Sequence, residues 1–102
     1  MSASIERYAG SIIASLHGSQ VHQSSSPAGP IITNVDGNYV RAGSSSIGRI
    51  IANVDGDRVR EGSSDIGTTL ARISGNRVGE YTINGSASSA EKAALYMAAR
   101  RL

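Results

Sequence analysis

Residues 48–64, GRIIANVDGDRVREGSS, form one clear copy of a unit that recurs along the chain. Glycine recurs every 19 residues in two separate series, and valine recurs once per copy at the same interval. The three series are Gly10, Gly29, Gly48 and Gly67; Gly18, Gly37, Gly56 and Gly75; and Val21, Val40, Val59 and Val78. Interleaved series with one period indicate an internal repeat. We therefore predict four copies of 19 residues within residues 9–85.

Each copy is predicted to be a β-hairpin. In the quoted copy, apolar residues alternate with others over residues 50–54, which is the period of a β-strand. Asp55-Gly56 predicts a two-residue type I′ turn that pairs Val54 with Asp57. This register places Val54 and Val59 on one face together with Ile50 and Ala52. The opposite face then carries Ile51, Asn53, Arg58 and Arg60.

The four hairpins are predicted to bury their apolar faces against each other, because an isolated hairpin is marginally stable in water. Closure also removes exposed strand edges. The predicted fold is a single mainly β domain over residues 1–102, with the four hairpins in a closed or nearly closed pseudo-fourfold arrangement. Residues 4–8 are expected to pair near residues 81–83 and seal the ring.

A C-terminal helix is predicted over residues 88–102. Ser88 and Glu91 have the spacing of a capping box, and Leu95, Ala98 and Leu102 mark an apolar stripe. The expected target of this stripe is the second apolar set, one residue per copy: Ile13, Ile32, Ile51 and Leu70. In that arrangement the helix caps one side of the β assembly. The alternative is that the helix pairs with a partner chain.

The composition excludes several classes of protein. The chain has no cysteine, so it has no disulfide and no thiolate zinc site. Its first residues lack a basic segment followed by an apolar run, and no segment has the length and apolar content of a membrane span. We predict a cytoplasmic protein without membrane contact. The net charge of +2 is too small to indicate a partner.

Two short patterns occur in both central copies: V-D-G-x-x-V at residues 35–40 and 54–59, and G-S-S-x-I-G at residues 43–48 and 62–67. With four glycine-turned hairpins and a C-terminal helix, the chain resembles the bacterial four-fold β-flower domains over residues 9–85. The first and fourth copies lack the complete second pattern. The resemblance implies a fold and supplies no activity, cofactor or catalytic residue.

The residues that often carry catalysis are placed unfavourably. The loops at residues 43–48 and 62–67 have the G-x-x-x-x-G spacing of a phosphate loop but lack its Lys and its following helix, so they are interpreted as corners. His17 and His22 are interpreted as surface substitutions without a third metal ligand. The acids Asp55, Asp57, Glu61 and Asp65 lie at turns or corners. We predict no enzyme, no cofactor and no metal.

Five arginines are the remaining candidate site: Arg41, Arg58, Arg60, Arg72 and Arg77. The predicted register places them on the face opposite the valines, where a closed ring would display them as a basic belt. Such a belt can hold phosphate groups, nucleic acid or an acidic protein surface. The competing interpretation is that they are solvated side chains paired with nearby acids.

Three functional hypotheses follow. The leading one is a non-catalytic protein-interaction or assembly module that binds an unknown protein partner or associates with itself, because the repeat is devoted to turns and core. The second is binding of an anionic ligand or nucleic acid through the arginine face. The third is a weak enzyme that uses His17 or His22.

Overall fold

The structure is a computed structural model, and it describes residues 3–7, 11–45, 47–64 and 66–102. Within these ranges the chain forms ten β-strands and one α-helix. The strands are Ala3–Glu6 (β1), Ile12–His17 (β2), Gln20–Gln23 (β3), Ile31–Asp36 (β4), Tyr39–Ala42 (β5), Ile50–Asp55 (β6), Arg58–Glu61 (β7), Thr69–Ser74 (β8), Arg77–Val78 (β9) and Tyr81–Gly85 (β10). The helix is Ser89–Arg101 (α1). Tyr8, Ala9, Gly10, Ser46 and Asp65, which the sequence predictions include, lie outside the described residues.

The strands form a closed barrel in the order β1-β10-β9-β8-β7-β6-β5-β4-β3-β2, so the predicted closure and the mainly β fold are confirmed. Four hairpins begin at residues 12, 31, 50 and 69, which preserves the 19-residue interval. However, these hairpins do not close on themselves. The terminal strands β1 and β10 pair with each other and add a fifth antiparallel pair, so the pseudo-fourfold arrangement is not confirmed.

The terminal strands seal the barrel close to the expected place. Ile5 lies opposite Ile83 on β10 and opposite Ala14 on β2, and all three side chains are buried. Glu6 lies opposite Thr82. The predicted pairing of residues 4–8 with residues 81–83 is therefore found for the part of that segment that the structure describes.

The predicted hairpin register was wrong by two residues. Asp55 pairs with Arg58 and Val54 with Val59, so the two central turn residues are Gly56 and Asp57. Gly56 has a φ of 64°, whereas Asp57 is not at positive φ, and this pattern of signs matches a type II′ turn rather than type I′. Because a shift of two preserves the side-chain alternation, the same residues remain on each face.

One face of every hairpin points into the barrel. Two inward sets are buried in all four hairpins, one of small residues and one of valines. They are Ala14, Thr33, Ala52 and Ala71, and Val21, Val40, Val59 and Val78. The small set leaves space inside the wall, and the helix fills that space.

The helix lies inside the barrel. Ala93, Ala94, Leu95, Ala98 and Ala99 have no exposed surface, and because successive helical residues are about 100° apart, these positions surround the axis. The helix lies beside β1–β6 as well as β8 and β9. The sequence predicted one apolar stripe, but the helix is buried on all sides, which is typical of a helix enclosed by protein.

Contacts along the helix show how it crosses the barrel. Near its start, Lys92 Nζ donates to the carbonyl of Gly75 at a hairpin turn, at 2.7 Å. In the middle, Thr33 Oγ1 donates to the carbonyl of Ala94 at 3.0 Å. At its end, Met97 lies near Ile51 and Leu70.

The helix therefore packs within the barrel rather than on one side of it. Of the four residues predicted to receive it, Ile51 and Leu70 lie beside Met97, and Ile13 and Ile32 pack against the same buried core, so the predicted contact is found in part. The same burial argues against docking of most of this helix on a partner chain. The predicted capping box is confirmed, since Ser88 Oγ accepts from the Glu91 amide at 3.2 Å and Glu91 Oε1 accepts from the Ser88 amide at 2.8 Å.

Among the described residues, no helix has the length and apolar character required to cross a bilayer.

The enclosed helix gives a first prediction. Replacing Ala98 by Leu adds three carbon atoms where no exposed surface exists, so overpacking should lower the free energy of unfolding by about 1–3 kcal/mol. Arg101→Leu, on the exposed last turn, should change it by less than about 0.5 kcal/mol. Urea unfolding followed by circular dichroism measures both variants. Equal tolerance of the two changes would show that the helix lies on the outside.

Candidate interaction surface

Two corner loops, residues 43–48 and 62–67, connect consecutive hairpins and are held in the same way by a buried asparagine. Asn53 Nδ2 donates to the carbonyls of Gly62 at 2.7 Å and Ser64 at 3.0 Å. Asn34, which precedes it by 19 residues, donates to Gly43 at 2.7 Å and to Ser45 at 3.2 Å. Each asparagine thus ties its own strand to the loop that follows the hairpin.

An arginine closes the other end of each corner loop. Arg60 Nη1 donates to the Gly67 carbonyl at 2.9 Å, and its Nε donates to Asp55 Oδ2 at 3.2 Å. Arg41 repeats both contacts, at 2.7 Å to Gly48 and 3.1 Å to Asp36. The guanidinium groups are used for internal bonds, so these two predicted belt residues act first as structural locks.

The glycine that accepts the arginine bond cannot be replaced easily. A Cβ on Gly67 would lie 2.5 Å from the Glu61 carbonyl oxygen, and a Cβ on Gly48 would lie 2.7 Å from that of Ala42. Both distances are shorter than van der Waals contact with a backbone atom permits. The recurrent glycine of the sequence pattern is therefore required by close approach of two backbone segments.

The corner loops project two large apolar side chains into solvent. Ile47 is 91% exposed and Ile66 is 88% exposed, and they occupy equivalent positions in the two loops. Their amides donate to Ser45 Oγ at 3.1 Å and to Ser64 Oγ at 3.2 Å. We refer to Ile47 and Ile66 as the corner isoleucines. They were not predicted as a binding surface, although the isoleucine of G-S-S-x-I-G marks both.

The first copy makes the same corner with other residues. His22 Nδ1 donates to the Gly29 carbonyl at 2.8 Å, which is the bond that Arg41 and Arg60 make in their copies. Ser24 has a positive φ of 64°, where the equivalent residues Gly43 and Gly62 have 72°. His22 is buried, so its interpretation as a surface substitution was wrong.

His17 packs against His22 with the ring centroids 5.2 Å apart, and its Nε2 is hydrogen-bonded to Ser15 Oγ at 2.9 Å. Loss of hydration lowers the pKa of His17 below its ordinary value of 6.5, and the nearby His22 ring acts in the same direction. Ser15 has no exposed surface, which withholds its hydroxyl from a substrate. In the part of the chain that the structure describes, no three His, Cys, Asp or Glu side chains form a metal-binding group.

The other three predicted arginines lie on the outer surface. Arg58 on β7 and Arg72 on β8 are directly opposite each other, and Arg72 is 63% exposed with Asp57 Oδ2 at 4.0 Å. Arg77 is exposed on β9 and lies opposite Ser74. The structure thus brings Arg58 and Arg72 together, while Arg41 and Arg60 are engaged elsewhere. Anion binding by these arginines stays a prediction.

The predicted acids also have structural partners. Asp55 accepts from Arg60, Asp57 lies near Arg72, and Glu61 ends β7. The two aspartates are more than half exposed, as solvated turn acids are. Each of the two aspartates lies beside a different arginine.

The fold and these corners define a closed antiparallel barrel of short glycine-turned hairpins around a C-terminal helix. The model of a family described as "6-fold beta flower protein" matches residues 4–99, and the chain belongs to this family. The expected β-flower resemblance is confirmed at the level of the family, whereas the four-fold variant is not. Neither the curated proteins nor the solved structures contain a match.

The hydrogen bonds from Asn53 to its corner loop give a second prediction. Asn53→Ala removes two hydrogen bonds, and because water can reach the exposed loop, the cost in unfolding free energy should be about 1–2 kcal/mol. The amides of Ile66 and Gly67 should exchange with solvent faster. Hydrogen exchange measured by NMR tests this, with Asn38→Ala on an exposed turn as the control. Unchanged exchange at both amides would show that Asn53 does not hold the corner loop.

The histidine pair gives a third prediction, on pH. Because the folded-state pKa of His17 is lowered, the unfolded chain binds the proton more readily, so this contribution to stability is present above pH 6.5 and is lost as the pH falls towards the folded pKa. His17→Ser, which copies Ser74, should reduce the loss of unfolding free energy between about pH 7.5 and 5. Urea unfolding at both pH values measures it. An identical loss in both proteins would show that His17 does not contribute.

Proposed function

We propose that this protein is a non-catalytic interaction and assembly module that associates through the corner isoleucines. The observation that carries the proposal is the near-complete exposure of Ile47 and Ile66 at equivalent positions. A single exposed apolar residue is ordinary on a protein surface. Two at the same position of successive repeats, on loops held by matching bonds, are a repeated feature of the surface.

The energetics favour an interaction at these residues. Full burial of an isoleucine side chain contributes roughly 1.5–3 kcal/mol, so two corner isoleucines can contribute several kcal/mol to association. The asparagine and arginine bonds hold the loops before a partner arrives. Less conformational entropy is then lost on binding than with a mobile loop.

Self-association is the form of assembly that we propose. The net charge of +2 on 102 residues gives little repulsion between copies. A second copy also offers the same pair of isoleucines, so one apolar surface can meet its equivalent.

The cytoplasmic location predicted from the cysteine-free composition stays a prediction.

The fourth prediction tests this proposal. Wild-type protein should show a concentration-dependent increase in sedimentation coefficient, because association buries the corner isoleucines. The double variant Ile47→Ser, Ile66→Ser should shift the transition to at least roughly tenfold higher concentration, which corresponds to about 1.4 kcal/mol of lost association free energy. Sedimentation velocity measures this, and circular dichroism checks that the variant is folded.

Leu102→Ser is the matched control, since Leu102 is an exposed large apolar residue that lies after α1 and outside both corner loops, and it is 43% exposed. It should leave the association unchanged. A wild-type protein that is monomeric over the whole range, or a double variant that associates like the wild type, overturns the proposal. A photo-reactive amino acid at position 47 would then distinguish a different protein partner from no partner.

One observation favours the alternative, anion or nucleic-acid binding through the arginine face. Arg58 and Arg72 are cross-strand neighbours of like charge, which destabilises a sheet unless an anion or acid lies between them. Asp57 supplies only a weak contact at 4.0 Å. The mark of this function is binding of an oligonucleotide that weakens steeply with salt, measured by fluorescence anisotropy.

A further inference from the structure

A cleft of about 330 Å³ lies where the end of α1 meets β6, β7 and β8, and we refer to it as the helix-end cleft. It is separate from the corner isoleucines, neither of which lines it. It also contains none of the five arginines predicted from the sequence. Its size is at the lower end of the range for small-molecule sites.

The wall of the helix-end cleft is apolar on one side. Ile51 and Met97 are buried, and Ile50 and Leu70 are half-buried. They come from two strands and from the helix, so the cleft forms only in the folded barrel. This side offers a surface for a short hydrocarbon chain and has no strong preference for one shape, because methionine adapts to what it contacts.

The other side of the cleft is basic. Arg49, Arg100 and Arg101 line it and are exposed, and among the described residues none of them forms an ion pair. Glu61 is the one acid in the lining. Three guanidinium groups against one carboxylate leave two positive charges, which exceed the roughly half negative charge at the end of a helix.

One of these arginines is held in place. The guanidinium carbon of Arg100 lies 5.7 Å from the centre of the Tyr96 ring, and Tyr96 Oη donates to the Leu70 carbonyl at 3.3 Å. The ring thus connects Arg100 to the strand that forms the apolar wall. A cation positioned over an aromatic ring keeps its N–H edges available for an oxyanion.

We propose that the helix-end cleft binds a small amphiphilic anion, in which a carboxylate or phosphate monoester carries a short alkyl chain. The arginines bind the oxyanion through paired N–H groups, and the chain lies on Ile50, Leu70 and Met97. Neither half of the site is sufficient alone. The apolar wall is half-open to water, and exposed charge pairs contribute little without it.

The fifth prediction tests the site with octanoate and octyl phosphate as probes. Each should bind saturably, as measured by calorimetry, and should shift the NMR signal of the Met97 methyl group. Octanol lacks the anion, and acetate and inorganic phosphate lack the chain. All three should bind at least roughly tenfold more weakly, because each forgoes either the charge-assisted hydrogen bonds or the apolar contact.

Arginine variants test whether the basic side of the cleft binds the probes. Arg49→Ser with Arg101→Ser should weaken binding of both probes at least roughly tenfold. Lys92→Gln removes a positive charge that neither lines the cleft nor belongs to the predicted arginine belt, and it should leave binding unchanged. Circular dichroism checks that each variant is folded.

Binding of only one probe supports the proposal and identifies the headgroup as carboxylate or phosphate. Octanol binding as tight as octanoate, unchanged binding by the double arginine variant, or no saturable binding of either probe overturns the proposal. These outcomes are independent of the sedimentation experiment on Ile47 and Ile66.

Discussion

The fold depends on one packing constraint: a sheet of short strands closes around a helix only where small side chains on both surfaces let them approach. The wall contributes Ala14, Thr33, Ala52 and Ala71, and the helix contributes Ala93, Ala94 and Ala98, all buried. A helix with its side chains is about 10 Å across, so large residues on both surfaces would force the strands apart. The alanines at these positions let the strands approach the helix closely. Because no water can reach the Thr33 hydroxyl, it donates its hydrogen bond to a helix carbonyl.

The outer surface solves a different problem, which is how to turn sharply between hairpins without leaving backbone groups unpaired. A buried asparagine and a flanking arginine satisfy the carbonyls of each central corner, and a histidine replaces the arginine in the first copy. Polar residues that a sequence pattern suggests for binding therefore form hydrogen bonds within the fold. Three features take no part in holding the corners and are available to a partner: the two corner isoleucines, the outer arginines, and the cleft at the end of the helix.

The features that the sequence predicted are those encoded locally. The hairpins and the capping box depend on residues a few positions apart, and the 19-residue interval is visible as a simple recurrence; each is found. The register was wrong because Asp-Gly usually fills both central positions of a tight turn, whereas Gly56 here takes the first. The fifth strand pair and the enclosed helix were not predictable from periodicity, because they join residues far apart in the chain. For the site, the partners of Arg41 and Arg60 include backbone carbonyls, which no side-chain pattern displays, and the corner isoleucines looked like ordinary members of a loop motif.

Closure by β1 and β10 has a consequence for how the chain reaches this structure. The second and third copies are nearly the same in sequence, so an unfolded chain can join a strand to the wrong copy with almost the same local contacts. Only the ends are different from every other segment, and Ile5 meets Ile83 across nearly the whole chain. Contacts between such distant residues form late, because a long loop must close first. Pairing of the two ends therefore favours the barrel in which each copy occupies its own place, because a misplaced copy would separate β1 from β10.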